Sequence, residues 1–162
     1  MSDLTVYTIG HSNHTREKLL ELLRQYGIEL LVDVRSSPYS RYNLQFNKKD
    51  LAAFITENGI EYSFQGNSLG GRPNDPSCYD GNELNYSKVR EKEWFNDGLA
   101  HVCWEASNRV IALLCAEEDP HECHRQHLVT QALLDRGVKV IHIRGDGSAQ
   151  ETTRDQEQLR LF

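Results

Sequence analysis

Apolar positions along the chain alternate between two periods. Thr5-Val6-Tyr7-Thr8-Ile9 is rich in β-branched and aromatic residues and stops at Gly10, the pattern of a strand. Thr15 then stands where a helix cap belongs, with Glu17 in the first turn and Leu19, Leu22, Leu23 and Tyr26 on one face. Gly27 occupies the position of a left-handed helix stop. Leu30 to Val34 reads as a buried strand. Asn47 is placed to cap a second helix, with Leu51, Phe54 and Ile55 inward and Asn58-Gly59 at its end. Glu61 to Phe64 reads as a short third strand.

The middle of the chain loses this rhythm. Gly66 to Glu83 holds four glycines, two prolines and three asparagines with no usable period, which predicts a long binding or lid loop. Helical spacing returns over Trp94 to Ser107 through Phe95, Leu99, Val102 and Ala106. Trp94, Phe95 and Trp104 read there as core rather than as a base-stacking platform. Val110 to Leu114 carries no polar residue, as a central strand does. Asp119-Pro120 opens another helix in the order cap then proline, with Val129, Ala132 and Leu133 inward and Gly137 as its stop. Lys139 to Ile143 reads as the last strand, and from Arg144 onward the chain turns polar until Leu159. Strand and helix alternate throughout, which predicts a three-layer α/β fold with a mainly parallel sheet and helices on both faces. The expected organisation is one domain over 1–145 and a polar tail over 146–162.

Composition narrows the function. With 38% hydrophobic and 26% charged residues the chain is not a disordered one. The longest apolar run, Val110 to Ala116, is too short to span a bilayer, and Met1-Ser2-Asp3 has neither the basic nor the apolar region of a signal peptide. Four cysteines without framework spacing then read as reduced thiols with no disulfide, and a cytoplasmic setting is expected. A formal net charge of −6 argues against tight non-specific DNA binding through bulk charge. The charge is uneven, however. Between Arg35 and Lys49 lie Arg35, Arg41, Lys48 and Lys49 with no acidic residue, either a solvated loop or an anion-facing patch.

In a parallel α/β sheet, ligands bind beyond the carboxyl ends of the strands. There the sequence places Gly10-His11-Ser12, Asp33-Val34-Arg35, Cys115-Ala116-Glu117, the helix start Cys123-His124-Arg125 and, one residue before a strand end, His142. Singly each has a plain reading: His142 a hydrogen-bonded core histidine, Asp33 a helix cap, Cys115 a small buried hydrophobe. Their concentration on one edge points to an active or binding site.

These blocks, together with Pro38, Ser40-Arg41, Leu69-Gly70-Gly71, Asp119-Pro120 and His142-Ile143, resemble the DUF488 family from residue 5 to about 145. That family comprises uncharacterised bacterial and archaeal proteins, sometimes labelled as linked to DNA repair. The resemblance implies a fold and a site more than a reaction.

Several chemistries fail on spacing. Nine residues separate Cys115 from Arg125 and one separates Cys123 from it, where a cysteine phosphatase loop has five. Gly-rich nucleotide loops of the GxGxxG and GxxxxGK(S/T) kinds are absent. Cys115, Cys123, His124, His11 and His142 form a mixed thiolate–imidazole set, but without CxxC or HxxxH pairs, so no metal is assigned and the cofactor is unknown.

The remaining reading uses charge. Arg35, Arg41, Arg72 and Arg125 are candidates to meet a phosphate, with Gly10, Ser12 and His142 beside them. Glu117 and Asp33 with His11 and His124 can perform acid–base work on a glycosidic or phosphoester bond, or Cys115 can act as a nucleophile. The expected function is therefore a hydrolase or transferase on a nucleotide or nucleic-acid component. The alternatives are a non-catalytic module for a phosphorylated ligand or partner, or a metal-binding protein. Tyr42, Tyr79 and Tyr86 lie in or near loops, where a base could stack. Finally, Gln158-Leu159-Arg160-Leu161-Phe162 resembles, at four of five positions, the pentapeptide by which bacterial replication and repair proteins dock on the DNA sliding clamp. Leu161 and Phe162 would fill an apolar pocket and Gln158 would hydrogen-bond beside it; the alternative is that Leu159, Leu161 and Phe162 pack back on the domain.

Overall fold

A computed structural model describes residues 4–120 and 125–152, without the side chains of 125–127. The chain forms strand β1 (Thr5–Gly10), helix α1 (Arg16–Gln25), β2 (Leu30–Asp33), α2 (Lys48–Glu57) and β3 (Glu61–Phe64). A short α3 (Gly66–Leu69), the hairpin β4 (Tyr79–Asp80) and β5 (Glu83–Leu84), and α4 (Tyr86–Arg90) lead to α5 (Glu93–Asn108). Then come β6 (Ile111–Cys115), a π-helical turn over Arg125–Thr130, α6 (Gln131–Asp135), β7 (Lys139–Ile143) and β8 (Ala149–Glu151).

The main sheet has the order β3-β2-β6-β1-β7-β8, parallel except for the antiparallel β8. Handedness explains where the helices lie. From β1 the chain steps to β2 and β3 in one direction, and right-handed crossovers put α1 and α2 on one face. From β3 it steps back to β6 and then β7, which puts α5 and α6 on the other. Two apolar clusters result. Ile9, Leu31, Ala112 and Leu114 of the sheet meet Leu19, Leu22, Leu23, Leu51 and Ile55 on the first face. Val6, Leu30, Val32, Leu113 and Val140 meet Phe95, Leu99, Val102, Val129 and Leu133 on the second. The expected three-layer α/β fold is therefore the observed one. Among the described residues, no helix is long and apolar enough to cross a membrane.

Local signals explain the element ends. Thr15 caps α1, its hydroxyl accepting from the Lys18 amide at 3.0 Å, and Gly27 and Gly137 take φ of +67° and +79° just past their helices. Four expectations change. Asn47 stands at the N-cap of α2 but makes no cap bond; its Oδ1 accepts from the Ser40 amide at 2.7 Å, because the preceding loop competes for it. The stretch Gly66 to Glu83 is not one loop but contains α3, a 3-10 turn and the β4–β5 hairpin, held by contacts too local to show a period. Trp104 is 62% exposed rather than core, since nine residues at about 100° each place it opposite the buried Phe95 on α5. Lys139–Ile143 is not the last strand: Ala149–Glu151 pairs with it, so the first residues of the stretch expected as tail from 146 form a turn and an edge strand. The helix expected from Asp119-Pro120 crosses 121–124, which lie outside the described residues.

Candidate functional site

The direction reversal in the topology falls between β1 and β6. Their exit loops diverge to opposite faces, and such a divergence opens a crevice at the carboxyl end of an α/β sheet. Backbone pairing continues past the strand ends: the His11 amide donates to Cys115 O at 3.0 Å and the Ser12 amide to Ala116 O at 2.7 Å. His11 and Cys115 are thereby set side by side. Ser12 takes a left-handed φ of +46°, unusual outside glycine and common where backbone geometry serves a site. Gly10 explains how the second loop comes so close. A Cβ there would lie 1.6 Å from the Glu117 carbonyl oxygen, so only glycine lets Glu117 cross over β1.

Above this junction lies a cavity of about 810 Å³, within the range of small-molecule sites. His11, Ser12, Arg35, Arg72, Cys115 and Glu117 line it, all expected from the sequence. The loop after β2 adds Ser36, Tyr39 and Asn43, and the loop after β6 adds Glu118.

Arg35 is the most constrained of these. Its Nε donates to Asp33 Oδ1 at 2.9 Å and its Nη2 to Oδ2 at 2.8 Å, while its own amide also donates to Oδ1 at 3.1 Å. The Tyr62 hydroxyl completes the carboxylate, donating to Oδ2 at 2.5 Å. Burial and then the Asp33 charge hold the Tyr62 phenol far above its usual range, so it stays a donor. Asp33 is fully buried and does not line the cavity, and both its oxygens are bonded to Arg35. The Nη1 edge of Arg35 makes no protein hydrogen bond among the described residues, so a rigid donor remains for an anion.

His11 is also buried, stacked on Phe46 at 4.5 Å between ring centroids. Desolvation lowers its pKa to about 4, aided by Arg35 and opposed by the bond to Ser12, so the imidazole is neutral near pH 7. Its Nδ1 lies 2.7 Å from the Ser12 carbonyl, which only accepts; the proton is therefore on Nδ1 and Nε2 is the basic atom. The buried Cys115 thiol donates to Glu117 Oε2 at 3.7 Å. Glu117 itself is exposed to the cavity. Glu118 is occupied elsewhere, bidentate to Arg144 at 2.8 and 3.0 Å and accepting from the Gly145 amide at 2.8 Å. That clamp ties the loop after β6 to the end of β7, and it raises the Arg144 pKa.

Other expected residues fall apart from the cavity. Arg41 is exposed and does not line it. His142 is fully buried under the sheet, its Nδ1 2.5 Å from Thr8 Oγ1. Gly10 shapes the floor without lining it. His124, the Arg125 side chain and Gln158, Leu159, Leu161 and Phe162 lie outside the described residues, as does Cys123. Among the described residues, no three of His, Cys, Asp and Glu gather as a metal-binding group. Sequence reasoning placed Ser36 at this edge but missed Tyr39, Asn43 and Glu118; only the adjacency of Glu118 to Glu117 hinted at one of them.

The model of a domain of unknown function, DUF488, matches residues 15–132. The chain belongs to that family. No curated protein and no solved structure matches it at a comparable level. The matched part of this DUF488 chain carries Asp33, Arg35, Arg72, Cys115 and Glu117, whereas His11 and His142 fall outside it. The cavity therefore combines groups from the matched region with the end of β1.

Proposed function

We propose that this DUF488 domain is an enzyme on a nucleotide or nucleic-acid component, cleaving a glycosidic or phosphoester bond in the cavity over β1 and β6. One observation carries the reading: a buried arginine, aimed by a bidentate carboxylate, shares a cavity wall with a neutral histidine, a thiol and an exposed carboxylate. Arg35 takes the phosphate through its remaining N–H groups, and Arg72, whose amide donates to the neighbouring Ser36 hydroxyl at 2.8 Å, adds a second cation. Glu117 protonates the leaving group or activates water, which adds across the broken bond. Asp33 is bound to Arg35 and Glu118 to Arg144, so among the described cavity residues His11 Nε2 and the Cys115 thiol stand beside Glu117 as reactive groups.

The test is a panel of nucleotides, nucleosides and damaged-DNA oligomers with wild type and Glu117→Gln. Retained binding with lost conversion supports an enzyme. Binding without turnover of any panel member by wild type supports instead a module that reads a phosphorylated ligand.

We also propose that Gln158-Leu159-Arg160-Leu161-Phe162 docks on a bacterial DNA sliding clamp, which would bring a chain of net charge −6 to DNA by local concentration. The support is the four-position match alone. Titration of the clamp with the full chain and with a chain ending at Asp155 decides it: equal or absent binding in both removes the partner.

A further inference from the structure

We propose that the loop between β2 and α2 is the landing surface for a single-stranded nucleic acid, its bases stacked on Tyr42 and Tyr39 and its phosphates on Arg41, Lys49 and Arg72. This rests on the nucleotide reading of the cavity only for what enters the cavity; the surface itself stands on separate observations. Tyr39, Tyr42 and Leu44 are 66%, 87% and 61% exposed, a concentration of large apolar groups on one short loop that water disfavours.

Hydrogen bonds hold the loop backbone. The Ser40 hydroxyl accepts from the Tyr42 and Asn43 amides at 3.0 and 3.2 Å, the Ser40 amide donates to Asn47, and the Lys48 amide donates to Pro38 O at 2.9 Å. These bonds fix the backbone from which the rings project, which lowers the entropy lost when a base stacks.

Charge selects the occupant. No acidic residue lies between Arg35 and Lys49. Arg41, Lys49 and Arg72 are exposed and make no ion pair among the described residues, while the Lys48 ammonium rests over the Phe64 ring at 4.1 Å. Aromatic rings interleaved with unpaired cations fit a strand that offers flat bases and phosphates alternately. Tyr39 and Arg72 are also part of the cavity wall, so a strand crossing this rim passes directly over Arg35. DNA and RNA share this chemistry.

Fluorescence anisotropy of the full chain with short labelled single strands of DNA and of RNA, the matching duplexes and a phosphatidylserine vesicle tests the proposal. One or both single strands should bind more tightly than duplex. Tyr42→Ala should weaken them roughly fivefold or more, and Arg41→Ala should reduce the slope of log affinity against log salt by about one. Both residues are exposed, so circular dichroism should show unchanged folding. Absent strand binding, an unaffected Tyr42→Ala protein, duplex binding as tight as strand binding, or binding of the vesicle alone would each overturn it. A protein that binds the strand through Tyr42 but converts no nucleotide refutes the cavity chemistry and leaves this surface intact. One that converts mononucleotides and ignores the strand does the reverse.

Discussion

Replacing Asp33 with alanine leaves the Arg35 guanidinium, whose side chain is 8% exposed, without the carboxylate that holds it. Removing one member of a buried ion pair costs about 3–5 kcal/mol, because the surviving charge keeps its desolvation and loses its partner. A domain of this size has a total stability of only about 5–15 kcal/mol, so Asp33→Ala should forfeit a large part of it. Tyr62→Phe gives a graded version. It deletes one donor to the carboxylate while all three Arg35 hydrogen bonds survive, and a hydrogen bond to a charged group contributes about 1.5–3 kcal/mol. Urea unfolding at neutral pH, followed by circular dichroism, measures both. In the Asp33→Ala background, Tyr62→Phe should cost markedly less than it does alone, since the phenol has already lost its acceptor. The paired change Asp33→Leu with Arg35→Met should recover most of the stability yet abolish anion binding, which separates the fold from the site. An Asp33→Ala protein within about 1 kcal/mol of wild type, with an unchanged m-value, would refute the claim that this pair is buried and mutually dependent.

Two further outcomes are expected. Gly10→Ala should lower stability by at least about 1–3 kcal/mol and weaken ligand binding together, because the new methyl displaces the Glu117 backbone; a thermal melt and a titration unchanged from wild type would contradict the close crossing. His11 has a folded pKa of about 4 against an ordinary 6.5, so the unfolded chain takes up its proton first as pH falls. Its contribution, roughly 3 kcal/mol, is complete above pH 6.5 and is lost between 6.5 and 4; a His11 imidazole that titrates near 6.5 by NMR would exclude this.

Much of the fold is written locally. The period of Leu19, Leu22 and Leu23, the cap at Thr15 and the stop at Gly137 act within a turn or two of chain, and each appears where the residues place it. The gathering of His11, Arg35, Cys115 and Glu117 was legible for a different reason: parallel strands all end on one side, whatever their order. Order itself was not legible. That β1 neighbours β6, so that His11 meets Cys115, depends on pairing across about a hundred residues, which no local period encodes. The same holds for β8, whose residues Ala149–Glu151 sit in a polar stretch and look like tail until β7 offers them an edge. Asp33 shows the difference most clearly. Its sequence position suggested a second catalytic carboxylate; only the tertiary structure decided that it is fully buried, where a carboxylate needs partners, and that Arg35 and Tyr62 supply them.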